Sequence, residues 1–297
     1  MIQMKKTFFL CLTRAYNFYN KHLPKIYGIN SIYSSCYHWF NPNTTILVNF
    51  PDNKLYVNTR ETGLVPLILN GTYEGYETEL FKNLVHEGTI LIDIGANIGY
   101  YTLIGANIIK KGSVYSFEPV PDNYDLLLKN IEINNLNNVT AVQKAVSNKI
   151  GKVKIFLDEF SFGTHSLAQN NVPDKINFTE VNTTTLDSFF DDKFSELDKI
   201  LVKMDTQGAE GLIVKGADSL LKKESIKIMM EFWPMGLKNM GTEPEQLLEK
   251  LEEYGFKINL INGQKKCLEH LNNDEIIRTC QISQSGYSNF VNLLLEK

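Results

Sequence analysis

The chain has 297 residues, of which 43% are hydrophobic and 22% are charged, and its mean hydropathy is −0.19. These values disfavour collagen-like, disordered and membrane-spanning proteins, and the length suits one large α/β domain with an N-terminal extension. The formal net charge of −4 provides no chain-wide positive field for a nucleic-acid backbone.

Residues 1–40 form a basic, aromatic extension. They include ten aromatic residues and no Asp or Glu, so this stretch carries +5 while the rest of the chain carries −9. Phe9, Leu12, Tyr16 and Tyr19 recur at helical spacing, which predicts one or two helices. We expect this stripe to pack on the core. The alternative is a basic amphipathic surface that contacts a membrane or a lipid-linked acceptor peripherally.

The extreme N-terminus has some features of a signal peptide, but its apolar run stops at Thr13-Arg14 without a small-residue cleavage site. The four cysteines form neither a CxxC pair nor a disulfide framework. A reducing cytoplasm fits these cysteines best, so we expect a cytoplasmic protein. No segment approaches the ~20 apolar residues that a spanning helix needs.

The next elements are a β-hairpin and then an alternating α/β region. Residues 45–59 predict two short strands around Pro51-Asp52-Asn53, and Tyr76–Leu84 has helical periodicity. We divide the chain into an extension of residues 1–70 and a catalytic domain of residues 71–297. The predicted strands are Ile90–Ile94, Ser113–Phe117, Val139–Val142, Lys152–Leu157, Ile200–Met204, Ile226–Glu231, Phe256–Ile261 and Phe290–Leu295.

Helices are predicted between most of these strands, and such alternation is typical of a parallel sheet covered on both faces. They are Tyr100–Ile109, Asp122–Asn134, Gly211–Lys222 and Glu243–Tyr254.

A glycine-containing turn follows the first of these strands. The strand ends at Asp93, Gly95 and Gly99 follow, and a helix begins at once. Glycines let the backbone turn sharply and approach a ligand, and the new helix offers unpaired N–H groups. Asn97 stands where a dinucleotide fingerprint has its second glycine. A carboxylate at Asp93 disfavours a pyrophosphate and tolerates a cationic amine or sulfonium, which favours S-adenosylmethionine.

The next strand supports one nucleoside pocket. It ends at Glu118, nineteen residues after Gly99, where a carboxylate can accept hydrogen bonds from both ribose hydroxyls.

These blocks resemble the FkbM family of S-adenosylmethionine-dependent methyltransferases over about residues 70–235. Thr206-Gln207 departs from the Val-Glu frequent in that family. The matching blocks are Tyr76-Glu77-Thr78, Leu91–Thr102 (LIDIGANIGYYT), Tyr115–Asn123 (YSFEPVPDN), Ala145-Val146-Ser147 and Lys203–Glu210 (KMDTQGAE).

The resemblance implies a class I methyltransferase fold, a Rossmann-like sheet of seven strands with the last antiparallel, and O-methylation of a sugar, glycan or related natural product. It implies that Glu118 binds the ribose, that Ala145-Val146 contacts the adenine, and that Glu77 approaches the amino-acid end of the cofactor. Asp205 would face the transferred methyl. The residues implied to contact the methionine part are Asp93, Gly95, Asn97 and Gly99.

A hydroxyl acceptor must lose its proton during transfer, so a base or a metal is expected. Asp205, at the carboxyl end of a central strand, is the first candidate base; the alternative is a structural cap. His165 is a second candidate, as a base or an acceptor contact. A divalent cation held by Asp205, Glu210 and Glu231 is a further alternative, although no metal-ligand spacing supports it.

Three other functions compete with this prediction. They are a non-catalytic cofactor-binding protein on the same fold, a nucleotide-linked oxidoreductase and an RNA methyltransferase. The absent GxGxxG disfavours the second, and the acidic body disfavours the third, so no nucleic-acid partner is expected.

Overall fold

The computed structural model describes residues 2–23, 26, 28–50, 52–70, 73–158, 161–172, 177–191, 193–195, 197–282 and 290–297. The N-terminal part contains two helices, a hairpin and a short helix. They are α1 (Ile2–His22), α2 (Ile29–Phe40), β1 (Thr45–Phe50), β2 (Asn53–Asn58) and α3 (Leu64–Asn70). The antiparallel pairing of β1 and β2 confirms the predicted hairpin; Pro51 of its predicted turn lies outside the described residues.

The aromatic stripe of α1 packs on the core, as predicted. Phe9 contacts Tyr37 with ring centroids 4.8 Å apart, and Tyr16 stacks on Tyr33 at 3.6 Å. Phe9 belongs to the same hydrophobic cluster as Leu91 of the sheet. Because the extension shares this cluster with the body, its helices are held by apolar burial. The division at residue 70 stays a prediction.

The remaining elements alternate along the chain. The helices are α4 (Gly75–Leu84), α5 (Tyr100–Ile108), α6 (Pro121–Ile133), α7 (Leu186–Phe190), α8 (Glu210–Lys215), α9 (Asp218–Leu221), α10 (Pro234–Asn239), α11 (Pro244–Glu253) and α12 (Asn273–Ile282). The strands are β3 (Ile90–Ile94), β4 (Val114–Phe117), β5 (Val139–Val142), β6 (Ala145–Val146), β7 (Gly151–Leu157), β8 (Asn177–Thr184), β9 (Ile200–Met204), β10 (Ile226–Phe232), β11 (Lys257–Asn262), β12 (Cys267–Glu269) and β13 (Val291–Glu296).

The main sheet has eight strands in the order β12-β11-β13-β10-β9-β3-β4-β5. The pairs from β10 to β5 are parallel, while β13 runs antiparallel to both β10 and β11. Seven of these strands form the predicted class I methyltransferase arrangement with its last strand antiparallel. The eighth, β12, is an added edge strand paired with β11.

Alternate residues of the central strands enter different hydrophobic clusters. Ile92 and Val202 belong to one cluster, and Leu91 and Leu201 belong to the other. This period of two is the pattern of a parallel sheet buried on both faces.

Two predicted elements differ from the structure. The strand predicted at Lys152–Leu157 is β7, which lies outside the main sheet in a three-stranded sheet ordered β6-β8-β7. The single helix predicted over Gly211–Lys222 is divided into α8 and α9. The break falls at Gly216, where a Cβ would lie 2.3 Å from the Ser147 oxygen, and its carbonyl accepts a hydrogen bond from the Asp187 N–H at 3.1 Å. The helix therefore ends at Gly216 because of tertiary contacts with Ser147 and with Asp187 of α7.

Among the described residues, no helix is long and apolar enough to cross a membrane.

Gly95 lies where the turn after β3 meets the turn after β9. Its φ is +81°, and a Cβ there would lie 1.9 Å from the Asp205 carbonyl oxygen. We expect Gly95→Ala to destabilise the fold, because strain of about 1–2 kcal/mol from the left-handed φ adds to about 1–3 kcal/mol of overpacking. Chemical denaturation would measure the loss.

Gly75→Ala is the matched control. A Cβ at Gly75 has no neighbour within 4 Å and its φ is not positive, so this change should be neutral or stabilise the protein by up to about 1 kcal/mol. Equal stabilities for the two variants would contradict the predicted clash.

Candidate functional site

A cavity of about 1060 Å³ opens at the carboxyl ends of β3, β4, β9 and β10. In the main sheet, β4 and β5 follow β3 on one side of it, and β9 then pairs with β3 on the other side. The direction in which strands are added therefore reverses at β3. Open α/β sheets bind ligands at such a switch point. Ligand pockets usually measure about 300–1,000 Å³, so this cavity has room for a cofactor and an acceptor.

The glycine turn and Glu118 form one wall of the cavity. The N–H groups of Gly95 and Ala96 both donate to the Phe117 carbonyl at 3.0 Å. Glu118 accepts the Asn97 N–H at Oε2 (2.8 Å) and the Val120 N–H at Oε1 (2.9 Å). Burial raises the pKa of Glu118 to about 7. The Asn123 side chain also hydrogen-bonds this carboxylate, so about one of its four lone-pair positions remains for a ligand.

Asp93 lies deeper, at the end of β3. Its Oδ2 accepts a hydrogen bond of 2.6 Å from the Thr102 hydroxyl, which lies 2.8 Å from the Ser116 hydroxyl. Burial raises the pKa of Asp93 to about 6. Asp93 is therefore a buried carboxylate oriented by the first turn of α5.

Lys203 is a buried cation next to this carboxylate. It pairs in register with Asp93 across β3 and β9 and is 1% exposed. Its Nζ lies 3.4 Å from Asp205 Oδ2 and 5.0 Å from the centre of the Tyr101 ring. Burial opposes the charged form, but Asp205, Glu74, Glu231 and Asp93 together raise the pKa of Lys203 above its usual value. Lys203 thus stays an ammonium ion.

Four carboxyl groups surround the single positive charge of Lys203, namely those of Asp205, Glu74, Glu231 and Asp93. Burial raises the pKa of Glu74, and it raises the pKa of Glu231 well above its usual value, with Asp205 adding to both effects. This end of the cavity therefore favours a positively charged ligand.

Asp205 and Glu231 are linked by the Gln207 side chain. The Gln207 amide nitrogen lies 3.2 Å from Asp205 Oδ1 and 3.0 Å from Glu231 Oε1, and it donates to both. Gln207 has a left-handed φ of +55°. The Asp205 side chain is 25% exposed, so Asp205 can still reach a ligand in the cavity.

The proposed divalent-cation site is not supported. Glu210 is absent from the cavity lining, and its Oε1 accepts hydrogen bonds from the Thr206 N–H (3.1 Å) and hydroxyl (2.9 Å). Glu210 therefore caps the turn after β9 and does not join Asp205 and Glu231. Within the described ranges, no group of three His, Cys, Asp or Glu side chains is arranged to hold a metal ion.

His165 lines the cavity but is not placed as a base. Its Nδ1 accepts the Asp158 N–H at 3.0 Å, so the neutral ring carries its proton on Nε2. Burial lowers the pKa of His165 to about 4, so the ring is neutral near pH 7. The Nδ1 lone pair that would take the proton already accepts a hydrogen bond, so this geometry disfavours the base role, which stays a prediction. A hydrogen bond donated to an acceptor stays a prediction.

Glu74 lies in the cavity lining, whereas the predicted Glu77 does not. Glu77 does not line the cavity; its Oε1 would lie 2.9 Å from a Cβ at Gly263. Glu74, just before α4, has a left-handed φ of +41°, lines the cavity and accepts a hydrogen bond from the Tyr101 hydroxyl. The position of Glu77 does not support its predicted cofactor contact, and Glu74 is the better candidate.

The far end of the cavity is apolar. Ala145 and Val146 of β6 line it together with Phe117, Ile155 and Leu167. The residues expected at the methionine part and the ribose of the cofactor also line the cavity, with the exception of Gly99; those present are Asp93, Gly95, Asn97 and Glu118. Gly99 instead lies immediately before α5 and packs against Leu127, whose methyl group would lie 2.7 Å from an added Cβ.

Several lining residues were missed from the sequence, namely Glu74, Tyr101, Lys203, Gln207 and Trp233. Lys203 carried a usable signal, since a lysine within the buried run Ile-Leu-Val-Lys-Met requires a charge partner. The sequence around Glu74 carried no such signal, because the orientation of this side chain depends on the left-handed backbone conformation just before α4.

The strand order, with carboxylates at the ends of neighbouring strands around one cavity, defines a Rossmann-like fold of the class I methyltransferase type. The model of the methyltransferase FkbM domain matches residues 93–258. The chain belongs to this methyltransferase family.

Individual relatives are distant. Methyltransferase sdnD from Sordaria araneosa is 25% identical over 200 residues, which are 57% of this chain and 73% of that protein. A tRNA(Phe) (4-demethylwyosine(37)-C(7)) aminocarboxypropyltransferase from Methanocaldococcus jannaschii is 39% identical over 57 residues, or 19% of this chain and 23% of that protein.

The crystal structure of a methyltransferase FkbM from Methylobacillus flagellatus KT covers 80% of this chain and 56% of its own, at 14% identity and a TM-score of 0.40. The fold assignment therefore depends on the strand order and on the family match.

We expect Lys203→Met to leave its buried carboxylates without their cation, which destabilises the protein by about 3–5 kcal/mol near neutral pH. The loss should be smaller at about pH 5.5 than at about pH 8, because Asp93, Glu74 and Glu231 take up protons as the pH falls. Lys203 itself stays charged over this range, since its folded-state pKa is raised.

Denaturant unfolding at both pH values checks this expectation. Lys111→Met is the control, because Lys111 is 81% exposed in a surface ion pair with Glu87 and such pairs contribute about 0–1 kcal/mol. Equal losses for the two variants would show that Lys203 does not balance the carboxylates.

Proposed function

We propose that this chain transfers a methyl group from S-adenosylmethionine to a hydroxyl of a sugar, glycan or related natural product. One observation supports this proposal above the others. A single cavity has a buried carboxylate at the end of β4 (Glu118), a second at the end of β3 (Asp93) and a partly exposed third at the end of β9 (Asp205).

The residues present fit the cofactor. Glu118 keeps a lone pair for a ribose hydroxyl beside its three hydrogen bonds from the protein, and the apolar end formed by Val146 and Leu167 fits an adenine ring. The acidic end, with Asp93 and Glu74, fits the ammonium and sulfonium charges. The buried Asn97 Oδ1 accepts no hydrogen bond from any described residue, so it can accept one from a ligand. When bound, S-adenosylmethionine supplies an electrophilic methyl group on a positively charged sulfur.

Asp205 is the group proposed to act on the acceptor. Each of its oxygens accepts one hydrogen bond, from Lys203 at Oδ2 and from Gln207 at Oδ1, so the carboxylate is held in one orientation with lone pairs to spare. It takes the proton of the acceptor hydroxyl as the oxygen becomes the nucleophile. Its place at the end of a central strand supports this role, because displacement requires the acceptor and the cofactor to be closely aligned.

The acceptor end of the cavity favours a sugar-like molecule. Trp233 and Met235 follow β10 and line the cavity, and an aromatic ring can cover the C–H face of a sugar ring. The neutral His165 ring offers its Nε2–H, so a hydroxylated molecule would find both donors and acceptors.

The proposal predicts that cofactor affinity depends on Glu118 ionisation. Because the pKa of Glu118 is raised to about 7, and ribose hydroxyls donate preferentially to the ionised form, binding should tighten about tenfold between pH 6 and pH 8 and then level off. Calorimetry with S-adenosylmethionine at pH 6, 7 and 8 measures this change.

Glu118→Gln should weaken binding and remove most of the tenfold change between pH 6 and pH 8. Glu180→Gln, on an exposed surface ion pair, should match the unmodified protein. Tight, pH-independent binding by both the unmodified protein and Glu118→Gln would contradict the assigned ribose contact.

Asp205→Asn tests the proposed base. It should lower the rate of methyl transfer by about 10²–10⁴-fold, as expected for loss of a general base, while cofactor affinity stays within about threefold. The assay measures S-adenosylhomocysteine release with a panel of monosaccharides and sugar nucleotides. Asp125→Asn, on an exposed helix surface, is the control.

The same assay separates the competing functions. Retained activity in Asp205→Asn would remove Asp205 from the base role. Cofactor binding without turnover on any sugar would favour the non-catalytic alternative, and turnover on transfer RNA would favour RNA methylation.

A further inference from the structure

The α1–α2 hairpin has an exposed apolar face in addition to the face that packs on the core. On α1, Met4, Phe8, Cys11, Ala15 and Phe18 recur every three or four residues, so they lie on one side of the helix. All five are exposed, with Met4 at 77% and Phe18 at 61%. This side is distinct from the buried one that carries Phe9 and Tyr19.

The second helix continues this surface. Ile32 is 65% exposed and Trp39 is 79% exposed, and with Cys36 they have the same helical spacing. Phe40 of α2 contacts Phe8 of α1, with ring centroids 4.2 Å apart. This ring pair joins the two stripes into one surface, which we call the hairpin face. Contiguous exposed apolar side chains of this kind mark an interaction site.

Charge identifies the partner of the hairpin face. Lys5 and Arg14 are both exposed, and they lie three residues before Phe8 and four before Phe18, so each neighbours the apolar stripe. Residues 1–40 carry +5 without an acidic side chain, and the rest of the chain carries −9. An anionic surface would attract the hairpin and repel the body, which orients the protein.

We propose that the hairpin face docks this protein peripherally on an anionic lipid bilayer. Phe, Ile, Met and Trp side chains enter the boundary between headgroups and acyl chains, and Lys5 and Arg14 meet lipid phosphates and carboxylates. The helices lie on the membrane and do not span it, in agreement with the lack of a spanning helix among the described residues.

A second copy of the chain is a poorer occupant. A two-fold dimer would bring the same patch of each copy together, so a +5 segment would face another +5 segment. Lipid headgroups supply the opposite charge.

Docking would also place the bilayer beside an element of the cavity. The helix α1 packs against α3, and Leu64 and Leu67 of α3 line the cavity. The docking inference does not depend on the proposed methyl transfer, and its test needs no acceptor.

The test is co-sedimentation of the full chain with phosphatidylcholine vesicles, with and without phosphatidylserine. The unmodified protein should pellet with the anionic vesicles and be released by salt. The Ile32→Ser/Trp39→Ser variant and the Lys5→Glu/Arg14→Glu variant should each lose at least about tenfold in partition coefficient. Trp39 emission should shift to shorter wavelength on binding, measured as the difference from Trp39→Phe.

Ile150→Ser/Leu197→Ser is the matched control, because these side chains are 66% and 91% exposed elsewhere on the surface. It should bind within about twofold of the unmodified protein, and thermal unfolding confirms that all variants fold. Absence of pelleting with anionic vesicles, or equal binding by the hairpin-face variants, would overturn the inference. A dimer seen by light scattering that Ile32→Ser/Trp39→Ser dissociates, without vesicle binding, would also overturn it and assign the face to a second copy.

Discussion

The buried ammonium of Lys203 is the interaction on which the site depends. It lies in the middle of the sheet, opposite Asp93 in register, and it interacts with Asp205, Glu74 and Glu231. Its charge lowers the pKa values of Asp93, Glu74 and Glu231 against the opposing effect of burial, so these three groups would be protonated more readily without it. Because they still outnumber it, negative charge remains for a cationic ligand. The same group therefore stabilises the sheet and sets the polarity of the cavity.

The sequence predicts the part of the site that is local in the chain. Asp93 lies at the end of β3, Asn97 lies in the turn after it, and Glu118 directly follows β4. Both strands are clear apolar runs, so the meeting of these residues at one sheet edge follows from topology. Glu74 and Gln207 could not be found in this way. Both adopt left-handed backbone conformations without being glycine, and their orientation depends on contacts with residues far along the chain.

In the fold, too, the elements marked by a local sequence pattern were predicted, and those that depend on contacts with distant residues were missed. The strands from β3 to β10 in the main sheet were predicted because each is a short apolar run between turns. The three-stranded sheet was missed because β8, with the sequence Asn-Phe-Thr-Glu-Val-Asn-Thr-Thr, has few apolar residues and is stabilised by pairing with β7. Edge strands such as β12 are short and half-exposed, so periodicity identifies them poorly.

The glycine turn has a second role that its sequence does not reveal. Gly95 was expected to lack a side chain so that a ligand could approach, but the closest atom to its missing Cβ is the Asp205 carbonyl oxygen. The Asp205 N–H also donates to the Ile94 carbonyl at 3.0 Å. Two backbone contacts thus fix the end of β9 against the end of β3. The proposed in-line transfer needs the donor and the proposed base Asp205 to be aligned closely, and this main-chain packing fixes the relative positions of the two turns that carry them.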